Sequence, residues 1–432
     1  MGRSGAAKGE QVGSNAFAFS SKEHEMRPSV SVRPLILSLA LSFGPLAATA
    51  GNLMEWNEVA MKAAATARQS PTMNTRTMAM VHAAMYDALN AAQPRYQPFK
   101  FTGTAPPNAS PDAATATAAH AVLLKLFPDQ RAVLDEALAA SLAKVAEGQD
   151  RSNGAAVGAA AADALLTWCA EDRVSVATQY RPVTQPGVYV GTTQPFGDDF
   201  GASRPWLLPR ADQFRPGPPP ALNSEVWTRD INETQKIGAR ASKVRTPEQT
   251  EVAQFWAITG APSYNGIIRQ AVANKKLDDL AAARVMALTY MAATDSLVAV
   301  FDAKYTYHFW RPITAVRNGD QYGNPGVQRE AGWLPLVDAP LHPEYPCAHC
   351  ISSAAVAKVL VTELGDEVPL SMTSPFVPGV TRRWVRISDY AKEVSNARIW
   401  SGVHYRNSAE VGAKMGGEIG SYAVANYLKP LR

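Results

Sequence analysis

The stretch VMALTYMAATDSLVAVF, residues 285–301, lies inside a helical pattern running roughly from Leu277 to Tyr307. A helix this apolar around its circumference offers no face to water, so it has to be covered on all sides. It also has the length to cross a membrane. However, Asp295 and the hydroxyls of Thr289, Thr294 and Ser296 fall in its middle, so it reads as a buried helix of a globular protein. No other uninterrupted apolar run of spanning length follows residue 50.

The cover comes from more helices. NLMEWNEVAMKAAATARQ and NTRTMAMVHAAMYDALNAAQ place apolar residues at three- and four-residue spacings. Pro128-Asp129 opens another helical stretch through DQRAVLDEALAASLAKV, and AAVGAAAADALLTWCAE follows. Alanine favours helix and lets neighbouring helices approach closely. Thr246, with Glu248 and Gln249 behind it, caps a helix through TPEQTEVAQFW. Further helices are expected near 347–364, 387–400 and 404–427. His82 and Asp87 share a helix with Met78, Met80 and Met85, and read as its polar edge. Between about Gln179 and Asn223 the chain is dense in Pro and Gly with aromatics interleaved. Proline lacks the amide hydrogen, so this cannot be regular helix. It reads as an ordered crossing over a helical core, or as a linker between two half-bundles. Strand signals are few. The expected fold is all-α, a helical bundle with long Pro/Gly-rich irregular crossings. Its organisation is a leader over 1–50, an N-terminal helical region over 51–260, and a C-terminal helical region over 261–432.

The leader has its own logic. From Met26, with Arg27 and Arg33, an apolar run leads to Ala48-Thr49-Ala50, the pattern of a secretory signal with a small-residue cleavage site. The expected location is therefore periplasmic or extracellular, where disulfides persist. With only three cysteines, Cys169, Cys347 and Cys350, there is no disulfide framework. The net charge of +4 and the absence of a basic cluster give no case for a nucleic-acid partner.

Three short stretches in the last third hold most of the chemistry-bearing side chains. In KYTYHFWRP, Lys304 and Arg311 are seven apart, so they share a face if the helix persists that far. His308, between them, points elsewhere and reads as structural. In PEYPCAHC, Pro346 to His349 form a loop-to-helix junction, and a helix start offers free amide hydrogens to an anion. In ARIWSGVHYR, Arg398 ends one helix, Gly402 breaks it and His404 begins the next. Arginine offers paired planar donors to phosphate-like oxygens, and lysine a point charge. One histidine can attack or coordinate the central atom while another exchanges protons. The Cys347/Cys350 pair by itself reads as a redox dithiol, half a zinc site, or two buried residues. No βαβ context supports the first, and no second cysteine pair the second.

The set resembles the vanadium-dependent haloperoxidases, within the superfamily that also holds type 2 phosphatidic acid phosphatases and bacterial acid phosphatases. Their shared signature is K-x6-RP, then PSGH, then SR-x5-H-x3-D. Here it reads Lys304 to Arg311-Pro312, then Pro346-Cys347-Ala348-His349, then Ala397-Arg398 with His404. The resemblance implies that Lys304, Arg311 and Arg398 hold the oxygens of vanadate, or of phosphate in the same pocket, with Cys347 and the Ala348 amide beside them. It implies that His404 bonds vanadium through its ring nitrogen, or serves as the phosphorylated nucleophile of a phosphatase. His349 would be the acid–base group, and His342 would sit on the peroxide and halide side. The implied reaction oxidises halide with hydrogen peroxide to hypohalous acid, without change in the vanadium oxidation state, and the departures from the signature make bromide or iodide the expected halide before chloride. The alternatives are a secreted acid phosphatase and a catalytically weak oxyanion-binding protein. Expected partners are hydrogen peroxide, halide and a small organic substrate, with no nucleic acid or membrane span; a homodimer is admissible. Four departures matter, of which Ala348 replaces a glycine but keeps the amide and Ala397 replaces a serine of lesser importance. Cys347 replaces a serine whose hydroxyl donates to the oxyanion, and a bridge to Cys350 would remove its thiol. Ser408 replaces the aspartate that orients the metal-bonding histidine.

Overall fold

The computed structural model describes residues 51–172, 180–191 and 193–431. The leader and signal over 1–50 lie outside the described residues. Thirteen α-helices and one two-stranded antiparallel hairpin are found among those described. The expectation of an all-α bundle therefore holds, with the hairpin added. It pairs Glu367–Thr373 with Thr381–Arg386.

The helix Asp279–Tyr307 is the centre of the protein. Asp278 caps its first turn by accepting the Ala281 amide, and nearly every residue from Leu280 to Lys304 is buried. It is also the one described helix long and apolar enough to span a membrane, and it spends that apolar surface on its neighbours. The helix Pro71–Ala92 packs along it, opened by Ser70 as cap and Pro71 in the first turn, where a missing N–H costs nothing. Behind that helix lie Pro111–Leu126 and Gln149–Cys169. On the other side pack Ala348–Leu364, called here the site helix, and the C-terminal helix Arg406–Asn426. Those two approach closely because glycines recur every fourth residue. A Cβ on Gly412, Gly416 or Gly420 would fall 2.7, 2.1 or 2.8 Å from a carbonyl oxygen of Cys347, Ile351 or Ala355. The start of the site helix is thus clamped onto the first turns of the C-terminal helix.

Asp295 explains the Pro/Gly-rich segment. Its buried carboxylate accepts the amides of Trp206, Leu207 and Leu208 at 2.7, 2.7 and 2.8 Å. A segment rich in proline cannot satisfy its own amides by helix or sheet, so a side chain from the central helix does it. Where it is described, the segment is a crossing docked on the core. The Thr246 cap is a full capping box with Gln249, opening Pro247–Phe255.

His82 and Asp87 are not an edge. Both are buried, and Asp87 accepts the amides of Phe99, Lys100 and Phe101. The His82 ring stacks on Tyr290 with centroids 4.6 Å apart and is hydrogen-bonded to Asn57 at 2.8 Å. Burial, with a smaller contribution from Arg269, pushes its pKa down from 6.5 to about 3. The unfolded chain therefore binds a proton there that the folded chain refuses, and stability falls as pH drops from 6.5 toward 3, by at most ~1.4 kcal/mol per pH unit. His82→Gln should lose stability at pH 7 yet show a shallower decline between pH 6.5 and 4.5 in urea unfolding. Parallel slopes for the two proteins would refute this.

Candidate oxyanion site

The site forms where four chain segments meet at the end of the central helix. That helix stops at Tyr307 because His308 turns left-handed at φ 49°, with its amide closing back on the Lys304 carbonyl. The helix does not persist to Arg311, which arrives in extended backbone as the residue capping Pro312–Arg317. His308 is indeed structural, since it ends the helix and its carbonyl accepts the Tyr189 amide. Lys304 and Arg311 nonetheless converge on one loop. Lys304 Nζ donates to the carbonyls of Pro343 and Glu344 at 2.9 and 2.8 Å. Arg311 donates to the carbonyls of His342, Pro343 and Val403, and to His342 Nδ1 at 2.9 Å. Lys304 thus ties residues 343–344 to the central helix, and Arg311 stitches residues 342–343 to the turn before the C-terminal helix.

That turn is set by Gly402, at φ 77°, where a Cβ would fall 2.3 Å from the Gly238 carbonyl oxygen. Arg398 comes from the last turn of Ile387–Trp400, and His404 follows just before Arg406–Asn426. Arg398 donates to the Trp256 carbonyl at 3.0 Å, while its buried Nε has no partner. Burial lowers the pKa of all three cations: Lys304 well below its usual value, Arg311 to about 10, Arg398 to about 9. Each is lowered further by, or itself lowers, another of the three. The site is short of negative charge.

The three histidines are held neutral, His342 and His404 buried and His349 half-buried. Desolvation leads, with Arg311 next for His342 and His404 and Arg398 next for His349. His349 lies in the first turn of the site helix, and its Nε2 meets the Ile258 carbonyl at 3.1 Å. A carbonyl only accepts, so Nε2 carries the hydrogen and Nδ1 is left as the basic nitrogen. His342 packs edge-on against Phe301 at 5.3 Å, with Phe196 of the crossing at 6.4 Å.

His404 holds the finding the sequence did not give. Its Nδ1 lies 2.7 Å from Glu344 Oε1, an oxygen that also accepts the Tyr405 amide at 3.1 Å. Nδ1 therefore donates, and Nε2 presents its lone pair beside Arg311 Nη1 at 3.3 Å. A coordinating or nucleophilic nitrogen is what remains. Glu344 is fully buried, and burial pushes its pKa up to about 7 against the pull of Arg311 and Lys304. Nothing in the sequence marked it except its place in the HPEYP turn.

Cys347 needs correcting as a donor. It is disulfide-bonded to Cys350, with Cα atoms 5.3 Å apart across the first turn of the site helix. No S–H remains to meet an oxyanion. Its sulfur instead accepts the Cys350 amide at 3.2 Å. Ala348 is the first helical residue. Cys169 is the free cysteine among the described residues and lies far from this chemistry, buried against Arg76 and Asp172. The broad surface clefts, one bordered by Arg382 and Trp400 and another by Pro218 and Lys414, contain none of the site residues.

Residues 284–432 match the family model of the VCPO second helical-bundle domain. A curated relative, the vanadium chloroperoxidase of Curvularia inaequalis, is 27% identical over an alignment covering 49% of this chain and 45% of that protein. A solved bacterial vanadium-dependent iodoperoxidase superposes with a TM-score of 0.75 at 22% identity, covering 90% of this chain and 99% of the other. The chain shares the fold of the vanadium haloperoxidases, and residues 284–432 match their second helical-bundle domain. A holo-type bacterial vanadium-dependent chloroperoxidase shares the fold too, with a TM-score of 0.68, 18% identity and 88% and 97% coverage. The chain spans less than half the length of its curated haloperoxidase relative.

The donor set fits the vanadate of this family. Three buried cations, the amide end of the site helix, an unpartnered Arg398 Nε and the unprotonated Nε2 of His404, which accepts from Arg311, are what a tetrahedral oxyanion with a coordinating nitrogen asks for.

Proposed function

We propose that the protein is an exported vanadium-dependent haloperoxidase that oxidises iodide and bromide, in preference to chloride, with hydrogen peroxide. One observation carries the reading. Lys304, Arg311 and Arg398 are buried, the first two act on one carboxylate, Glu344, and that carboxylate is taken by His404. Buried charge persists only when it is compensated, so the pocket asks for an anion. When bound, vanadate supplies a Lewis-acid centre at which peroxide becomes electrophilic toward halide.

The protein's own groups do the rest. Lys304, Arg311 and Arg398 neutralise the oxyanion, and His404 Nε2 anchors it. His349, neutral with a basic nitrogen free, takes the proton of incoming peroxide and returns it to the leaving oxygen. His342, between Phe301 and Phe196, lines the apolar side on which a large soft halide is easily desolvated. The preference for iodide and bromide rests on Cys347. Where the family's signature has a hydroxyl, a bridged sulfur leaves one donor fewer to polarise the oxyanion. Export rests on residues 26–50 and is checked by amino-terminal sequencing, which should find a mature start near Gly51.

With added vanadate, peroxide-dependent halogenation should be fastest with iodide, slower with bromide and slowest with chloride. Chloride turnover equal to bromide turnover would remove the preference. Hydrolysis of p-nitrophenyl phosphate without peroxide-dependent halogenation would replace the reading with a secreted phosphomonoesterase using the same histidines.

A further inference from the structure

We propose that Glu344 is the positioning carboxylate of His404, and that it does from the loop before the site helix what the family's signature does with an aspartate at the place of Ser408. The inference rests on the oxyanion reading of the site, and applies equally to bound vanadate or phosphate.

Glu344 is committed to His404 although better electrostatic partners are near. Lys304 and Arg311 both act on its charge, yet both spend their donors on backbone carbonyls of residues 342–344 and 403. Oε1 receives only the Nδ1 of His404 and the amide of Tyr405, the residue after it. The carboxylate thus fixes both the tautomer of His404 and the backbone that carries it.

Ser408 completes the argument. It is one turn beyond His404, 1% exposed, and its carbonyl accepts the Cys347 amide. Its hydroxyl lies close enough to Glu344 to favour the charged carboxylate, though neither that hydroxyl nor Oε2 closes a hydrogen bond of ordinary geometry. An aspartate at 408 would place a second carboxylate against the first. Two like charges sharing a buried site cannot both ionise. Positions 344 and 408 are therefore alternatives: one supplies the carboxylate, the other must stay neutral.

The test is a mutant cycle of wild type, Glu344→Ala, Ser408→Asp and the double variant, with Glu344→Gln as a shape-preserving control. Dissociation constants for vanadate and for inorganic phosphate are measured by equilibrium dialysis. The ring-nitrogen shifts of His404 are read in 15N-labelled ligand-free protein. Glu344→Ala should weaken both anions roughly 10- to 100-fold, the usual cost of losing a group that supports a ligand. Glu344→Gln should fall between Ala and wild type. Ser408→Asp alone should also weaken binding, whereas in the Glu344→Ala background it should restore affinity to within a few-fold of wild type and return His404 to the Nδ1–H tautomer. Additive losses in the double variant, or unchanged anion affinity in both Glu344 variants, would overturn the proposal. Should Glu344→Ala not fold, Glu344→Gln and its double with Ser408→Asp give the same contrast. A protein that proves to be a phosphatase would still show the cycle in phosphate binding, so failure of the peroxidase reading and failure of this one are separately visible.

Discussion

Protein carrying His404→Ala, purified with excess vanadate, should retain essentially no vanadium and no peroxide-dependent halogenation. The expected loss exceeds the roughly 10- to 100-fold that follows removal of a supporting group, because the group removed is the anchor itself. Its Nε2 is the unprotonated ring nitrogen that lies against Arg311, among three buried cations. The substitution also strips Glu344 of its main partner. A buried carboxylate left without its hydrogen-bond donor is costly as long as it stays charged. Glu344 avoids most of that penalty: burial already holds its pKa at about 7, so it can take up a proton instead. The variant should therefore fold, with a modest fall in melting temperature, and lose the stabilisation that vanadate gives wild type through preferential binding to the folded state. Metal analysis of both proteins decides it. Equal vanadium content would sink the assignment of the site.

The parts of this molecule that were legible in the sequence are those with a period or a fixed spacing. The central helix declared itself through an apolar pattern without a wet face, and its Asp295 was visible as an oddity. What Asp295 does was not visible, since the Trp206–Leu208 amides it holds lie about ninety residues earlier with no pattern linking them. Lys304, Arg311, His349, Arg398 and His404 were found as a set because each lies in a short motif of fixed internal spacing. The route by which Lys304 and Arg311 meet was different: a left-handed His308 ends the helix, and the two side chains converge on shared carbonyls rather than on one helix face. Glu344 escaped notice because a carboxylate between two prolines belongs to no periodic pattern, and because the signature directs attention to position 408. Cys347 was read as a thiol in the place of a hydroxyl. Proximity to Cys350 across one helical turn was evident from spacing, but the bridge required backbone geometry that only the fold supplies. The hairpin leaves little trace in the sequence, because in TRRWVR only Trp384 is buried and the other side chains are charged or exposed.

Arg311→Met should produce the second large loss, for reasons that reach beyond charge. Methionine roughly keeps the length of the side chain and its apolar stem but removes every donor. The carbonyls of His342, Pro343 and Val403 lose a common partner, so the loop carrying His342 and Glu344 is no longer tied to the turn carrying His404. Arg311 is also the largest electrostatic influence, after burial, on His342, His404 and Glu344. Without it Glu344 is harder to ionise and His404 easier to protonate, and both changes work against an unprotonated Nε2. Loss of a buried charged partner costs about 3–5 kcal/mol, which corresponds to roughly two to three and a half orders of magnitude in vanadate or phosphate affinity. Arg311→Lys should recover only part of it. A single ammonium keeps the charge but cannot reach three carbonyls and a ring nitrogen from one planar group. Titration of each variant with phosphate, followed by the shift in melting temperature, ranks them directly. The expected order is wild type, then Arg311→Lys, then Arg311→Met with no shift. A full shift in Arg311→Met would mean that Lys304 and Arg398 suffice to hold the anion, and that Arg311 serves the loop rather than the ligand.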